Sequence, residues 1–117
     1  MIEIKCVADK AAGLGKVHGV EATTAFEMTE RGERLGLALA NVCSETADMV
    51  YLEAPDLPLT DALLRATLNA LQANGVRRAV AVSQTLREFA VRKGYFPPEG
   101  PFEWDIREFF SKSACKG

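Results

Sequence analysis

Hydrophobic and polar positions along this chain change their spacing three times, and the changes mark its elements. Ile2, Ile4 and Cys6 alternate with Glu3, Lys5 and Val7, which predicts a first strand with one buried face. Residues 23–29 resume the alternation, with Thr24, Phe26 and Met28 on one face. Glu30-Arg-Gly-Glu33 reads as a polar turn in which Gly32 supplies a positive φ. Leu35, Leu37 and Leu39 then alternate along a returning strand that runs to about Cys43, and residues 44–48 make a second polar turn. The next strand, residues 49–54, places Val50 and Leu52 on one face and Tyr51 and Glu53 on the other.

The spacing becomes helical after residue 55. Pro55 and Pro58 break the strand, and Thr60 or Asp61 falls where an N-cap belongs, its side-chain oxygen able to satisfy an amide of the first turn. Asp61, Arg65, Asn69 and Gln72 share one face and Leu64, Leu68 and Leu71 the other, with Asp61 and Arg65 spaced to support each other. Asn74-Gly75 is a left-handed stop followed by an apolar Val76. Residues 78–82 form a continuous apolar strand after Arg78, as expected where a parallel strand is covered on both faces. Ser83 or Thr85 opens a second helix, Thr85-Leu-Arg-Glu88 having the form of a capping box; Leu86, Phe89 and Ala90 make its buried stripe and Gly94 ends it. Pro97, Pro98 and Pro101 mark a rigid turn, and Phe102, Trp104 and Ile106 alternate with Glu103, Asp105 and Arg107 as a late strand. Phe109 and Phe110 continue that strand or begin a short helix, and residues 111–117 read as a frayed tail.

Residues 9–20 carry no sustained period and predict a flexible connection with at most a short helical turn. Gly13-Leu-Gly15-Lys16 is not a phosphate loop, because that motif needs four residues between its first glycine and Gly-Lys, then Ser or Thr, whereas Val17 follows here. His18, the only histidine, has no second histidine or paired cysteine with which to form a metal site and reads as an exposed loop residue.

Composition narrows the class. The 117 residues predict one domain, 1–117, with an α+β fold: an antiparallel meander followed by a β-α-β-α crossover and a late strand in one mixed sheet. A net charge of −2, with basic residues scattered among carboxylates, argues against nucleic acid as a partner. The longest apolar run, residues 35–40, is too short to span a bilayer, and no signal peptide is visible. Three cysteines without tight spacing predict free thiols in a reducing compartment and hence a cytoplasmic protein. Cys6 and Cys43 are expected as small buried strand residues, and Cys115 falls in the tail.

The order of elements, Ala62-Leu63-Leu64 at the opening of the long helix, and the closing segment Phe89-Ala-Val-Arg-Lys-Gly-Tyr95-Phe96 together resemble the GNAT N-acyltransferase superfamily over roughly residues 22–110. The resemblance implies acetyl-CoA or another acyl-CoA as donor and an amine as acceptor. It implies that pyrophosphate rests on the amides opening the long helix, where free donors and a partial positive charge coincide. Cofactor contacts fall on that basis to Leu52, Ala54, Thr60, Asp61, Ala62 and Ser83, and Glu53 becomes the candidate base. The glycine-rich loop of the family is replaced by Pro55, Pro58 and Thr60 at its key positions, and Ala90 stands where the family often carries a proton-donating tyrosine. Tyr95 and Tyr51 are alternatives for acid chemistry. The leucine-rich strands and the aromatic segment 102–110 suit a homodimer or a core. Three functions follow: a small acyl-CoA-dependent N-acyltransferase, a GNAT-like scaffold without acyl transfer that serves as a binding or regulatory module, or an enzyme subunit whose partner chain completes the site.

Overall fold

The computed structural model describes residues 1–115, with side chains through residue 111. The elements in order are β1 (Ile2–Cys6), a 3-10 turn (Ala8–Lys10), α1 (Ala11–His18), β2 (Thr24–Glu30), β3 (Glu33–Cys43), β4 (Thr46–Glu53), α2 (Leu57–Ala73), β5 (Arg78–Ala81), α3 (Gln84–Arg92), β6 (Glu103–Asp105) and α4 (Ile106–Cys115). The six strands form one sheet in sequence order, and only the β4–β5 pair is parallel. The meander, the crossover through α2 and the late strand are therefore present as the spacing predicts.

Local chemistry explains the turns and helix ends. Arg31 and Gly32 both take positive φ, the conformation that closes a two-residue hairpin between twisted strands. Gly75 takes φ 93°, and the Val76 amide donates to the Leu71 carbonyl at 3.0 Å, ending α2 as predicted. Gly94 ends α3 in the same way, with the Tyr95 amide on the Ala90 carbonyl at 2.9 Å.

Two β-bulges reorganise the faces of the sheet. Met28 pairs with Gly36 and Thr29 with Arg34, so Leu35 is an extra residue; Leu39 pairs with Tyr51 and Ala40 with Met49, so Val50 is another. Each extra residue reverses the alternation that follows it. Leu35 thus packs with the large core, together with Phe26, Met28, Ala38, Met49 and Leu52, while Leu37 and Leu39 join Ala11 and Ala25 beneath α1. Val50 and Leu52 likewise part company, Val50 lying against the smaller cluster. The strict alternation expected for residues 35–39 and 50–52 is corrected on this ground.

Other expectations also change. Residues 9–20 are not a flexible connection: they hold a 3-10 turn and the eight-residue α1, into which Gly13 and Gly15 fall. Gly15 is required there because a Cβ would lie 2.5 Å from the Val20 carbonyl oxygen. The late strand is only three residues long, because Asp105 accepts the Glu108 amide at 3.0 Å and so turns Ile106 into the start of α4. That helix also occupies residues 111–115, where a frayed tail was expected. β1 is an edge strand on which Ile4 is only half-buried and Ile2 is 39% exposed. Cys6 and Cys43 are exposed rather than buried, the first on that edge and the second at the end of β3. The side chain of Cys115 lies outside the described residues.

Candidate functional site

The two strands of the crossover part early. β5 pairs with β4 only from Thr46 to Met49, and the Met49 carbonyl takes the last bonds, from the Val82 amide at 3.0 Å and the Ser83 amide at 3.3 Å. β4 continues to Glu53 with β3 alone beside it. The Val50 bulge sits where the parting begins, so the backbone of residues 50–53 has no strand partner on its β5 side. Beside this open edge lies a groove of about 210 Å³ walled by Leu52, Glu53 and Ala54, by Leu57 and Thr60 of α2, and by Leu86, Phe89 and Arg92 of α3. Its lining mixes apolar side chains, Leu52, Ala54, Leu57, Leu86 and Phe89, with the polar and charged Glu53, Thr60, Thr85, Glu88 and Arg92.

The helix end beside this groove departs from the sequence reading. α2 begins at Leu57, four residues before Asp61, and its N-cap is Asp56 rather than Thr60 or Asp61. Pro58 is accommodated because a first-turn residue has no intrahelical use for its N–H. Asp56 Oδ1 accepts the Leu59 amide at 2.8 Å, its carbonyl accepts the Thr60 amide at 2.9 Å, and Pro58 offers no donor. In the first turn the Leu57 amide alone is left open among the described residues. The groove also carries two carboxylates, Glu53 and Glu88, against a single cation, Arg92. A pyrophosphate therefore does not fit this helix end as it fits a glycine-rich cradle.

The residues expected at the cofactor are divided by the structure. Leu52, Ala54 and Thr60 line the groove together with Glu53. The Thr60 hydroxyl donates to the Asp56 carbonyl at 2.7 Å. Ala62 is exposed on α2, outside the groove. Ser83 is the N-cap of α3, receiving the Leu86 amide at 3.4 Å, and Thr85 lines the groove in its place. The Thr85–Glu88 capping box does not form; Glu88 instead accepts from Gln84 Nε2 at 3.2 Å.

Asp61 belongs to a different cluster. It accepts Arg65 Nε at 2.9 Å and the Tyr95 hydroxyl, while Arg65 Nη2 donates to the same hydroxyl at 3.0 Å. Burial first, and then the bond to Asp61, raise the Tyr95 phenol above its ordinary range, with Arg65 opposing them. This triad ties α2 to the segment after α3, and Arg65 also lies over the Phe109 ring. It borders a hollow of about 550 Å³ walled by Tyr95, Phe96, Trp104 and Phe109. That hollow is larger than the groove but shares no residue with β4, so the open strand edge does not face it.

Tyr51 and Glu53, two residues apart on β4, act as a pair. The Tyr51 hydroxyl donates to Glu53 Oε2 at 2.8 Å. Burial, followed by the bond to Glu53 and its negative charge, pushes the Tyr51 phenol up to about 12, so it remains a donor at any physiological pH. His18 is not a free loop residue: it ends α1, half-buried, with its ring stacked on Tyr51 at 4.1 Å. The spacing signalled the pair, since Tyr51 and Glu53 share a strand face. The histidine carried no signal, because nothing local connects it to β4. Among the described residues, no group of three or more His, Cys, Asp or Glu side chains is placed to hold a metal ion. No helix among them is long and apolar enough to cross a membrane.

Known structures share this fold. The chain superposes on the ribosomal-protein-S18-alanine N-acetyltransferase of Escherichia coli with a TM-score of 0.57 and 17% identity, covering 80% of this chain and 77% of that one. It matches N-acetylglutamate synthase from Neisseria gonorrhoeae, complexed with coenzyme A and N-acetyl-glutamate, with a TM-score of 0.58 and 14% identity over 79% of this chain and 28% of that one. A GNAT family acetyltransferase from Elizabethkingia anophelis, with acetyl-CoA bound, gives 0.55 and 12% over 80% and 74%. No protein-family model matches the sequence, and no curated protein matches it. The chain has the GNAT fold, in a single mixed sheet of α+β class. At these identities it is a divergent version of that fold.

Proposed function

We propose that this protein is a small GNAT-type N-acyltransferase that takes an acyl thioester, from acetyl-CoA or another acyl-CoA, in the groove between β4 and α3 and passes the acyl group to an amine. The observation that carries this reading is the open edge of β4: residues 50–53 have no strand partner on their β5 side, and Leu52 and Glu53 border a groove of about 210 Å³. The donor supplies the activated acyl group. Those strand amides of residues 50–53 that point away from β3 offer hydrogen bonds to its carbonyl oxygen, in a site that needs little reorganisation because the sheet holds them. Glu53 is the base that receives a proton from the acceptor ammonium, and Tyr51 holds its carboxylate in place. Among the described residues Arg92 is the only cation lining the groove and the group best suited to a phosphate. Proton return to the departing thiolate has no tyrosine at position 90 and falls to solvent.

A specific observation favours a second reading, a GNAT-fold binding module without acyl transfer. The helix end that would hold the pyrophosphate is capped by Asp56 and shortened of donors by Pro58.

The test is the thermal midpoint of the protein with acetyl-CoA and with CoA, followed by thiol release in the presence of a panel of amines. A ligand at a hundredfold excess over its Kd stabilises by about 2.7 kcal/mol, a shift of several degrees for a domain of this size. Thiol release in wild type and its loss in Glu53→Gln, with the thermal shift retained, establish the enzyme. The absence of any shift at millimolar CoA overturns it in favour of the module.

A further inference from the structure

β1 ends the sheet, and nothing among the described residues pairs with its outer edge. The parity of that edge can be read directly. Cys6 pairs with Phe26, and the Val7 amide continues the ladder to the Ala25 carbonyl at 2.8 Å. In an antiparallel ladder alternate residues direct their backbone groups to the same side. Glu3, Lys5 and Val7 therefore bond towards β2, and the amides and carbonyls of Ile2, Ile4 and Cys6 point outward without strand partners.

Unpaired edges attract other strands, and a lysine on the edge normally discourages a second copy by repulsion. Here the lysine has a counterpart. Glu3 and Lys5 lie on the same face of β1, their side chains 56% and 66% exposed and only 3.5 Å apart, in an ion pair that solvent largely screens.

We propose that two copies of this chain associate through β1, antiparallel about a two-fold axis at Ile4, extending the sheet across both molecules. In this register Ile4 faces Ile4, and Ile2 faces Cys6, as hydrogen-bonded pairs that use the outward backbone groups. Glu3 of each copy faces Lys5 of the other at the non-hydrogen-bonded positions, where Cα atoms approach to about 4.5 Å and side chains interact best. The charges also reject the neighbouring registers. Shifting the axis to residue 3 sets glutamate against glutamate, and shifting it to residue 5 sets lysine against lysine, while the backbone parity forbids the registers between. Ile2, 39% exposed in the single chain, gains apolar neighbours on the other face. One five-residue ladder is smaller than a standard interface, so the association is weak and concentration-dependent. The interface is isologous, and it lies on β1, which contributes nothing to the groove between β4 and α3.

Sedimentation equilibrium across micromolar to millimolar protein, on the full chain, tests it. Wild type is expected to shift from monomer to dimer with rising concentration. Glu3→Lys and Lys5→Glu each place like charges opposite one another and are expected to remain monomeric, while the double variant E3K/K5E restores the pairs and the dimer. Mixing the two single variants is expected to give a heterodimer, because every facing pair is then of opposite sign. Both side chains are exposed, so circular dichroism of each variant should match wild type. A monomer at every concentration, a dimer indifferent to the single reversals, or no restoration in the double variant overturns the proposal.

Discussion

Asp56 Oδ1 accepts the Leu59 amide at 2.8 Å, so the N-terminus of the crossover helix satisfies itself with an anion of its own. That carboxylate takes one of the first-turn donors and sets a negative charge against the partial positive charge that makes a helix end attractive to phosphate. Replacing Asp56 by Asn keeps a capping oxygen and removes the charge. Stability of D56N should stay close to wild type, and its thermal shift with CoA should exceed that of wild type. D56A should lose about 1 kcal/mol in urea denaturation, the ordinary value of a cap. A smaller CoA shift in D56N than in wild type would show that the carboxylate does not oppose the donor.

Tyr51 carries a pH signature. Its phenol is raised from 10.0 to about 12 by burial and by Glu53, so the folded state holds its proton more tightly than the unfolded chain. The stabilisation is complete below pH 10 and is lost as pH rises through the interval between 10.0 and about 12. Tyr51→Phe should flatten that part of the stability profile, measured by denaturation at a series of alkaline pH values. An unchanged slope would sink the assignment.

The Asp61–Arg65–Tyr95 triad predicts a coupling. Tyr95→Phe removes the hydroxyl that bonds both charged partners and should cost about 1.5–3 kcal/mol, as for hydrogen bonds to charged groups. A double-mutant cycle with Asp61→Asn should show the two losses to be far from additive. Additive losses would mean that the residues are neighbours without being partners.

Gly36 pairs with Met28 beside the Leu35 bulge, and a Cβ there would lie 2.8 Å from the Glu53 carbonyl oxygen and 3.3 Å from Leu63 Cδ2. Gly36→Ala must push β4 or α2 aside, at about 1–3 kcal/mol for overpacking. Because the displaced backbone is the end of β4, thiol release should fall in this variant by more than its loss of folded protein explains. Equal losses of activity and folded fraction would disconnect the bulge from the site.

What the chain determined by itself was whatever depends on a few consecutive residues. The stops at Asn74-Gly75 and Gly94, the turn at Arg31-Gly32, the apolar stripe of α2 and the shared face of Tyr51 and Glu53 all follow from local backbone preferences and side-chain spacing. Those were enough to order the elements and to bring Leu52, Glu53, Ala54 and Thr60 to one groove. The tertiary structure decided what needs a partner far along the chain. Leu35 and Val50 change faces because neighbouring strands leave them unpaired, and no alternation within a strand announces such a bulge. His18 meets Tyr51 only when α1 packs beneath the sheet, and Asp61 leaves the groove because Tyr95 waits on the other side of α2. Helix α2 could begin at Leu57 or four residues later as far as its prolines are concerned. The Asp56 cap fixed the earlier start, and with it the character of the site.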